Sequence, residues 1–357
     1  MEETAERILE ILQDYHCDFP ATKYEMSVEH ITKWANQFED DAAFVLSELL
    51  HFLPQIYISK SKAIELLKQR LIDFQNLYKY QTMNEFIMNT HFIDVQKEEK
   101  SQKQILTLVK EIINNGFGIN YDLTINEPKK HHIYFDDVLA TGGTIYKDIS
   151  IWLTENFQDV VENKKTFALS LFCFHQLGYG NMKWGLMQDE QLKKLFDTFE
   201  VSNNIIEKVV QTKTNYIIEN QAKWSNQRLN CAYPLQEQSK DVLVYLTNFS
   251  ESSSKVQAFR TPNTPLIETF FTNSENRNKL EKIFTEKGLE LLKKVNSDEV
   301  DFAKRPLGYT VRSHKTLGTG TLFFTWRNIS NTCPLVFWWD VPSHNWTPLF
   351  CLKNRGI

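Results

Sequence analysis

The stretch Ile133-Tyr134-Phe135-Asp136-Asp137-Val138-Leu139-Ala140-Thr141-Gly142-Gly143-Thr144 decides how this chain is read. Its three leading apolar residues, Ile133 to Phe135, predict a buried strand. Thr144 then opens a segment with Ile145, Ile149, Trp152, Leu153 and Phe157 along one helical side. A strand that hands over to a helix belongs to parallel α/β architecture, where ligands bind at the carboxyl ends of the strands. Asp136 and Asp137 stand where this reading ends the strand. Carboxylates there can accept hydrogen bonds from vicinal hydroxyls or hold a hydrated magnesium ion. The small residues Ala140, Thr141, Gly142, Gly143 and Thr144 let backbone N–H groups approach a phosphate, and the helix N-terminus adds partial positive charge. Acids for a sugar beside a nest for its phosphate are the chemistry of a bound ribose 5-phosphate.

Outward from this stretch, helix and strand alternate. Ser101 is expected to cap a helix carrying Ile105, Leu108, Val109 and Ile112, ending at Gly116. A strand over 118–125 and a turn at Asn126-Glu127-Pro128 follow, and Phe167 to Phe174 is a strong apolar strand. Residues 1–80 read as helical, with Ser27 capping a segment that carries Ile31, Trp34, Phe38 and Ala42, and with a further apolar face running to Pro54. Phe86 to Val95 is ambiguous, and 180–230 looks helical and polar. Val242 to Leu246 reads as a strand, 250–265 as a loop and 278–295 as a helix; two strands are expected at Thr321 to Trp326 and Leu335 to Trp339. The expected organisation is an N-terminal helical region over 1–80, a parallel-sheet core over 81–250 and a C-terminal α+β extension over 251–357.

Composition excludes several classes. With 357 residues, 42% of them hydrophobic and 24% charged, the chain is an ordinary globular one that can bury a sizeable core. A net charge of −5 argues against direct, non-specific nucleic-acid binding. The five cysteines, Cys17, Cys173, Cys231, Cys333 and Cys351, show no zinc or redox spacing, and an odd, scattered set suits a reducing cytoplasm. No apolar run reaches membrane-spanning length, and the acidic, amphipathic N-terminus is no signal peptide.

The central stretch resembles the phosphoribosyl pyrophosphate motif of type I phosphoribosyltransferases: a hydrophobic strand, two acids, two mostly apolar residues, then a small-Thr-Gly-Gly-Thr loop. The resemblance implies that Asp136 and Asp137 contact the ribose hydroxyls and hold Mg²⁺, and that Ala140 to Thr144 wrap the 5-phosphate. Trp34-Ala35-Asn36-Gln37-Phe38 and the run Asn331 to Trp339, followed by Trp346-Thr347-Pro348-Leu349-Phe350, extend a weaker resemblance across the chain. Together these segments are similar to phosphoribosyltransferase-like proteins of bacterial conflict systems, which occur beside reverse transcriptases and winged-helix proteins in type III retrons. That likeness implies a cytoplasmic antiphage effector or toxin that transfers or cleaves at the anomeric carbon of phosphoribosyl pyrophosphate or a nucleotide. The alternative is a catalytically inactive nucleotide-binding module that assembles with a defence complex.

A working transferase also needs a pyrophosphate loop upstream, and Val95 to Lys103 is the candidate. It carries Ser101-Gln102 but no glycine, while Lys97, Lys100 and Lys103 could neutralise phosphate charge; Lys100 and Ser101 are the ligand candidates there. Other features are weaker. His131-His132 precedes the strand, but neighbours on a strand face opposite ways and make a poor metal site. Gly178-Tyr179-Gly180 follows the Phe167–Phe174 strand at the same sheet edge, and Gly318-Thr319-Gly320 reads as a turn. Trp338, Trp339 and Trp346 read as core before they read as base-stacking residues.

Overall fold

The computed structural model describes residues 1–18, 25–97, 100–124, 128–197, 205–206, 216–218, 229–249, 257–295 and 301–351. In chain order the elements are α1 (Glu2–Leu12), α2 (Val28–Asn36), α3 (Ala42–Ile56), β1 (Tyr57–Ile58), α4 (Lys60–Leu77), α5 (Met83–Met88), β2 (Thr90–Phe92), α6 (Ser101–Glu111), β3 (His131–Leu139), α7 (Gly143–Glu155), α8 (Phe157–Val161), β4 (Thr166–His175), α9 (Gln176–Gln188), α10 (Glu190–Asp197), β5 (Ile205–Ile206), β6 (Tyr216–Ile218), α11 (Lys240–Leu246), α12 (Ser274–Lys293) and β7 (Phe324–Thr325). This is a mixed α/β chain with parallel sheets. It forms two compact units, one of residues 1–60 with 218–357 and one of residues 61–217.

The second unit holds a parallel sheet in the order β2-β3-β4-β5. Strand β3 pairs Ile133 with both Phe92 and Ala168, so it is central, and a central parallel strand is apolar on both faces. Its core gathers Tyr134, Leu139, Ile145, Ile149, Trp152, Leu153, Phe167, Leu169 and Leu171, the residues whose spacing set strand and helix apart in the sequence. Phe157 falls beyond α7, in α8, and packs against the same core.

The first unit joins the N-terminal helices to the C-terminal third of the chain. Ser27 caps α2 as expected, its side chain accepting from His30 N at 3.1 Å. Trp34 on α2 stacks on Phe337 at 5.6 Å and donates to Val336 O at 2.8 Å, and Phe38 meets Trp346 edge-on at 5.5 Å. Trp338, Trp339 and Trp346 are all buried, the core role expected of them.

Several local expectations are corrected. Val242 to Leu246 lies in helix α11: Val242 and Leu246 are buried four residues apart while Leu243 and Val244 between them are exposed, a helical period hidden by an apolar run. Leu335 to Phe337 is a 3-10 turn, with Phe337 N and Trp338 N donating to Pro334 O and Leu335 O, and only Phe324–Thr325 is strand in the 321–326 segment. Pro54 sits inside α3 rather than after it. Of 118–125, residues Tyr121–Thr124 form a 3-10 turn, and 125 lies outside the described residues, as does the Asn126-Glu127 part of the expected turn. The expected loop at 250–265 is described only from 257, where it is irregular, and most of 198–228 is likewise outside.

Candidate functional site

Strand β3 runs to Leu139, four residues beyond Phe135, so both acids lie within it. Asp136 is buried at 5% exposure and pairs in register with Leu171, while Asp137 is half-buried. The acids sit one residue apart on a pleated strand, which alternates their directions. Backbone N–H groups brace them: Asp137 N donates to Asp136 Oδ1 at 2.9 Å, and Val138 N to Asp137 Oδ1 at 2.7 Å.

The strand then gives way to the loop. Gly142 adopts φ +87°, a left-handed conformation, and is the N-cap of α7 with no side chain capping the helix. The first-turn N–H groups of α7 are therefore left by the helix's own capping for another acceptor. Gly143 and Thr144 are exposed, Thr141 is half-buried and Ala140 is nearly buried. A Cβ on Gly143 would meet no atom within 4 Å, so the mouth of the loop is open.

Gly178, flagged by its position after β4, closes the other side of this loop. A Cβ built there would lie 1.7 Å from Ala140 O, and one built on Gly142 would lie 2.3 Å from Gly178 O. Backbone meets backbone, and only glycine permits the approach. Gly318-Thr319-Gly320 lies elsewhere, in the first unit, at positive φ of 136° and 63° for its glycines, as a turn requires.

The upstream candidate loop reaches the acids through a residue the sequence reading did not single out. Strand β2 ends beside Ile133, and Ile93 N donates to Ile133 O at 2.9 Å. From there Gln96 Nε2 lies 2.8 Å from Tyr134 Oη, 2.9 Å from Asp148 Oδ2 and 3.1 Å from Asp136 Oδ2. Tyr134 donates to Asp148 Oδ2 at 2.7 Å. Burial first, then the charges of Asp136 and Asp148, hold the Tyr134 phenol far above its ordinary pKa, so it stays a protonated donor. A signal for Tyr134 and Asp148 was present: Tyr134 is two residues before Asp136 on the same strand face, and Asp148 is one helical turn after Thr144.

Lys100 and Ser101 are adjacent at the start of α6, with Lys100 as N-cap and Ser101 as the first helical residue, so the helix begins one position earlier than a Ser101 cap would place it. The backbone N–H groups of Val95 and Gln96 both donate to Gln102 Oε1 at 3.0 Å, so a side chain takes two donors that an anion-binding loop would otherwise present. Lys103 pairs with Asp94 at 2.8 Å. Residues 98–99 of this loop are outside the described residues.

His131 and His132 face opposite ways, as their adjacency predicts. His131 stacks on Tyr78 and bonds Thr166 Oγ1 and Tyr80 Oη, whereas His132 packs on His91 and Trp152. Among the described residues no three acidic, His or Cys side chains gather as a metal-binding group, and the cysteines are free thiols. No helix among them is long and apolar enough to cross a membrane.

The family model described as PRTase-CE matches residues 31–351. The match covers most of the chain and includes the α2 segment, the strand–loop–helix stretch and the tryptophan-rich tail. The chain belongs to this phosphoribosyltransferase-like effector family. No curated protein and no solved structure matches the chain significantly.

Proposed function

We propose that this member of the PRTase-CE family binds phosphoribosyl pyrophosphate, or a nucleotide with the same ribose phosphate, and transfers or cleaves at its anomeric carbon as an antiphage effector. The observation that carries the reading is the joining of two parts by geometry: an open glycine loop at a helix N-terminus, directly after two acids in a central strand. In this reading Ala140 to Thr144 hold the 5-phosphate through backbone N–H groups and the Thr141 and Thr144 hydroxyls. Asp136 and Asp137 accept hydrogen bonds from the ribose hydroxyls. Gln96 holds the Asp136 carboxylate, and Tyr134, which gives its one proton to Asp148, lies beside it, so that little reorganisation accompanies binding.

Magnesium fits this donor set in part. Asp136 and Asp137 are hard oxygen ligands, and such an ion keeps several waters and takes substrate oxygens, so few protein ligands are required. When bound, it would neutralise charge on the departing pyrophosphate. Lys100, the N-cap of α6, and Ser101, its first residue, are the ones we assign to that group. Family membership supports the effector role, and a reverse transcriptase or winged-helix protein is the partner we propose on the resemblance.

One observation favours a non-catalytic alternative, a nucleotide-binding module docked in a defence complex: Gln102 occupies two N–H groups of the candidate pyrophosphate loop. The two readings separate by mass spectrometry of the protein incubated with phosphoribosyl pyrophosphate and Mg²⁺. We expect product with the wild type and none with the Asp136→Asn/Asp137→Asn variant. Ligand binding by the wild type with no product would leave the binding module as the reading.

A further inference from the structure

Arg305, in the first unit, is completely buried. Its guanidinium stacks on the Phe249 ring, 3.5 Å from the centroid, and Nη2 reaches His314 O only at 3.5 Å. Nε and Nη1 are sealed from solvent and have no hydrogen-bond partner among the described residues. Two further polar atoms are sealed and unmet, the Tyr245 hydroxyl and His314 Nδ1, and the Arg305 charge acts on both residues. Tyr245 and Arg305 approach each other without reaching hydrogen-bond geometry. Asp301 is the acid whose charge reaches Arg305, but its Oδ1 is engaged by Arg312 Nη2 and Ala303 N, each at 3.0 Å. The neighbouring Lys304 holds its ammonium over Trp339 and Tyr309, at 5.2 and 5.8 Å, and forms no ion pair among the described residues.

A buried guanidinium with unspent donors is costly, and the same unit shows how this chain normally avoids it. Arg277, equally buried, bonds Glu268, Glu281, Cys231 O and Leu229 O. The donors around Arg305 suit an anion with several acceptor oxygens. The guanidinium fork matches a phosphate in shape, and a phenol and an imidazole nitrogen flank it as additional donors.

We propose that Arg305, with Tyr245 and His314, forms a second oxyanion site that takes a phosphate group, separate from the Ala140–Thr144 loop. The test uses inorganic phosphate on the full chain. Gly143→Asp disables the loop: the position has space for a side chain, and the new charge repels phosphate. This variant is expected still to bind phosphate in calorimetric titration and to melt at a higher temperature in its presence. Adding Arg305→Met should abolish both effects, and adding Tyr245→Phe, which keeps the packing, should weaken binding several-fold. If Gly143→Asp alone neither binds phosphate nor gains stability from it, the site does not exist, whether or not the Arg305 variant folds. Equal binding with and without Arg305→Met removes Arg305 from it. Acetate binding as well as phosphate would overturn the phosphate assignment. Tighter binding of a nucleoside monophosphate than of inorganic phosphate identifies a nucleotide as the source, and equal binding identifies the free ion.

Discussion

Around Glu281 in the first unit, opposite charges neutralise one another; around Asp136 in the second, acids meet an amide and a phenol. Glu281 accepts from Arg277 at 3.0 Å and Arg260 at 3.2 Å, and also from Tyr233 N, and Arg277 ties in the carbonyls of Leu229 and Cys231. That cluster is sealed and complete. The Asp136 cluster satisfies Gln96 and Tyr134 against Asp136 and Asp148 and lies next to a loop whose Gly143 and Thr144 are exposed. Charges closed on one another hold backbone segments together. Acids braced at a sheet edge beside an exposed loop place negative charge where a ligand can use it.

The comparison breaks most visibly at Glu281. Glu281→Gln leaves two buried guanidinium groups short of a partner, and denaturant unfolding should show a loss of about 3–5 kcal/mol. Phosphoribosyl pyrophosphate affinity of the folded protein should be unchanged; a loss of affinity without a loss of stability would reverse the roles assigned to the two clusters.

Acid sharpens it next. Burial, then nearby positive charge, depresses His131 and His132 to about 4 from an ordinary 6.5. A base whose folded pKa is lowered contributes its full stability above the unfolded pKa and loses it as protons bind the unfolded chain preferentially. Stability should therefore fall between pH 6.5 and 4, by about 3 kcal/mol per histidine at the lower end. Urea midpoints at pH 7 and pH 5 measure this, and a flat profile would contradict the buried, neutral placement.

Gly178→Ala is the smallest of the three in stability, costing about 1–3 kcal/mol for a Cβ forced against Ala140 O. Its effect on the loop is specific: ligand affinity should fall sharply while the Glu281 cluster is untouched. Undiminished binding would show that the loop does not depend on that backbone contact.

Much of the second unit was legible. Ile133 to Thr144 joins a two-sided apolar strand to a glycine turn and a helix of period 3.6, and each feature is local. Tyr134, Gln96 and Gly178 were harder, because their importance arises where β2, β3 and β4 end side by side. The first unit resisted reading for the same reason. Its partners lie far apart in sequence, 302 residues for Trp34 and Val336, and its tail is buried with little regular structure. Without a period of 2 or 3.6, apolar runs such as Leu335 to Trp339 mimic strands.

The central claim is that the loop from Ala140 to Thr144 holds the phosphate of a phosphoribosyl ligand. Calorimetric titration of phosphoribosyl pyrophosphate with Mg²⁺ into the wild type and into Gly143→Asp tests it most directly. The account predicts saturable binding by the wild type and at least about a tenfold loss in the variant, about 1.4 kcal/mol. A silent wild type, or a variant that binds as tightly as the wild type, would contradict it.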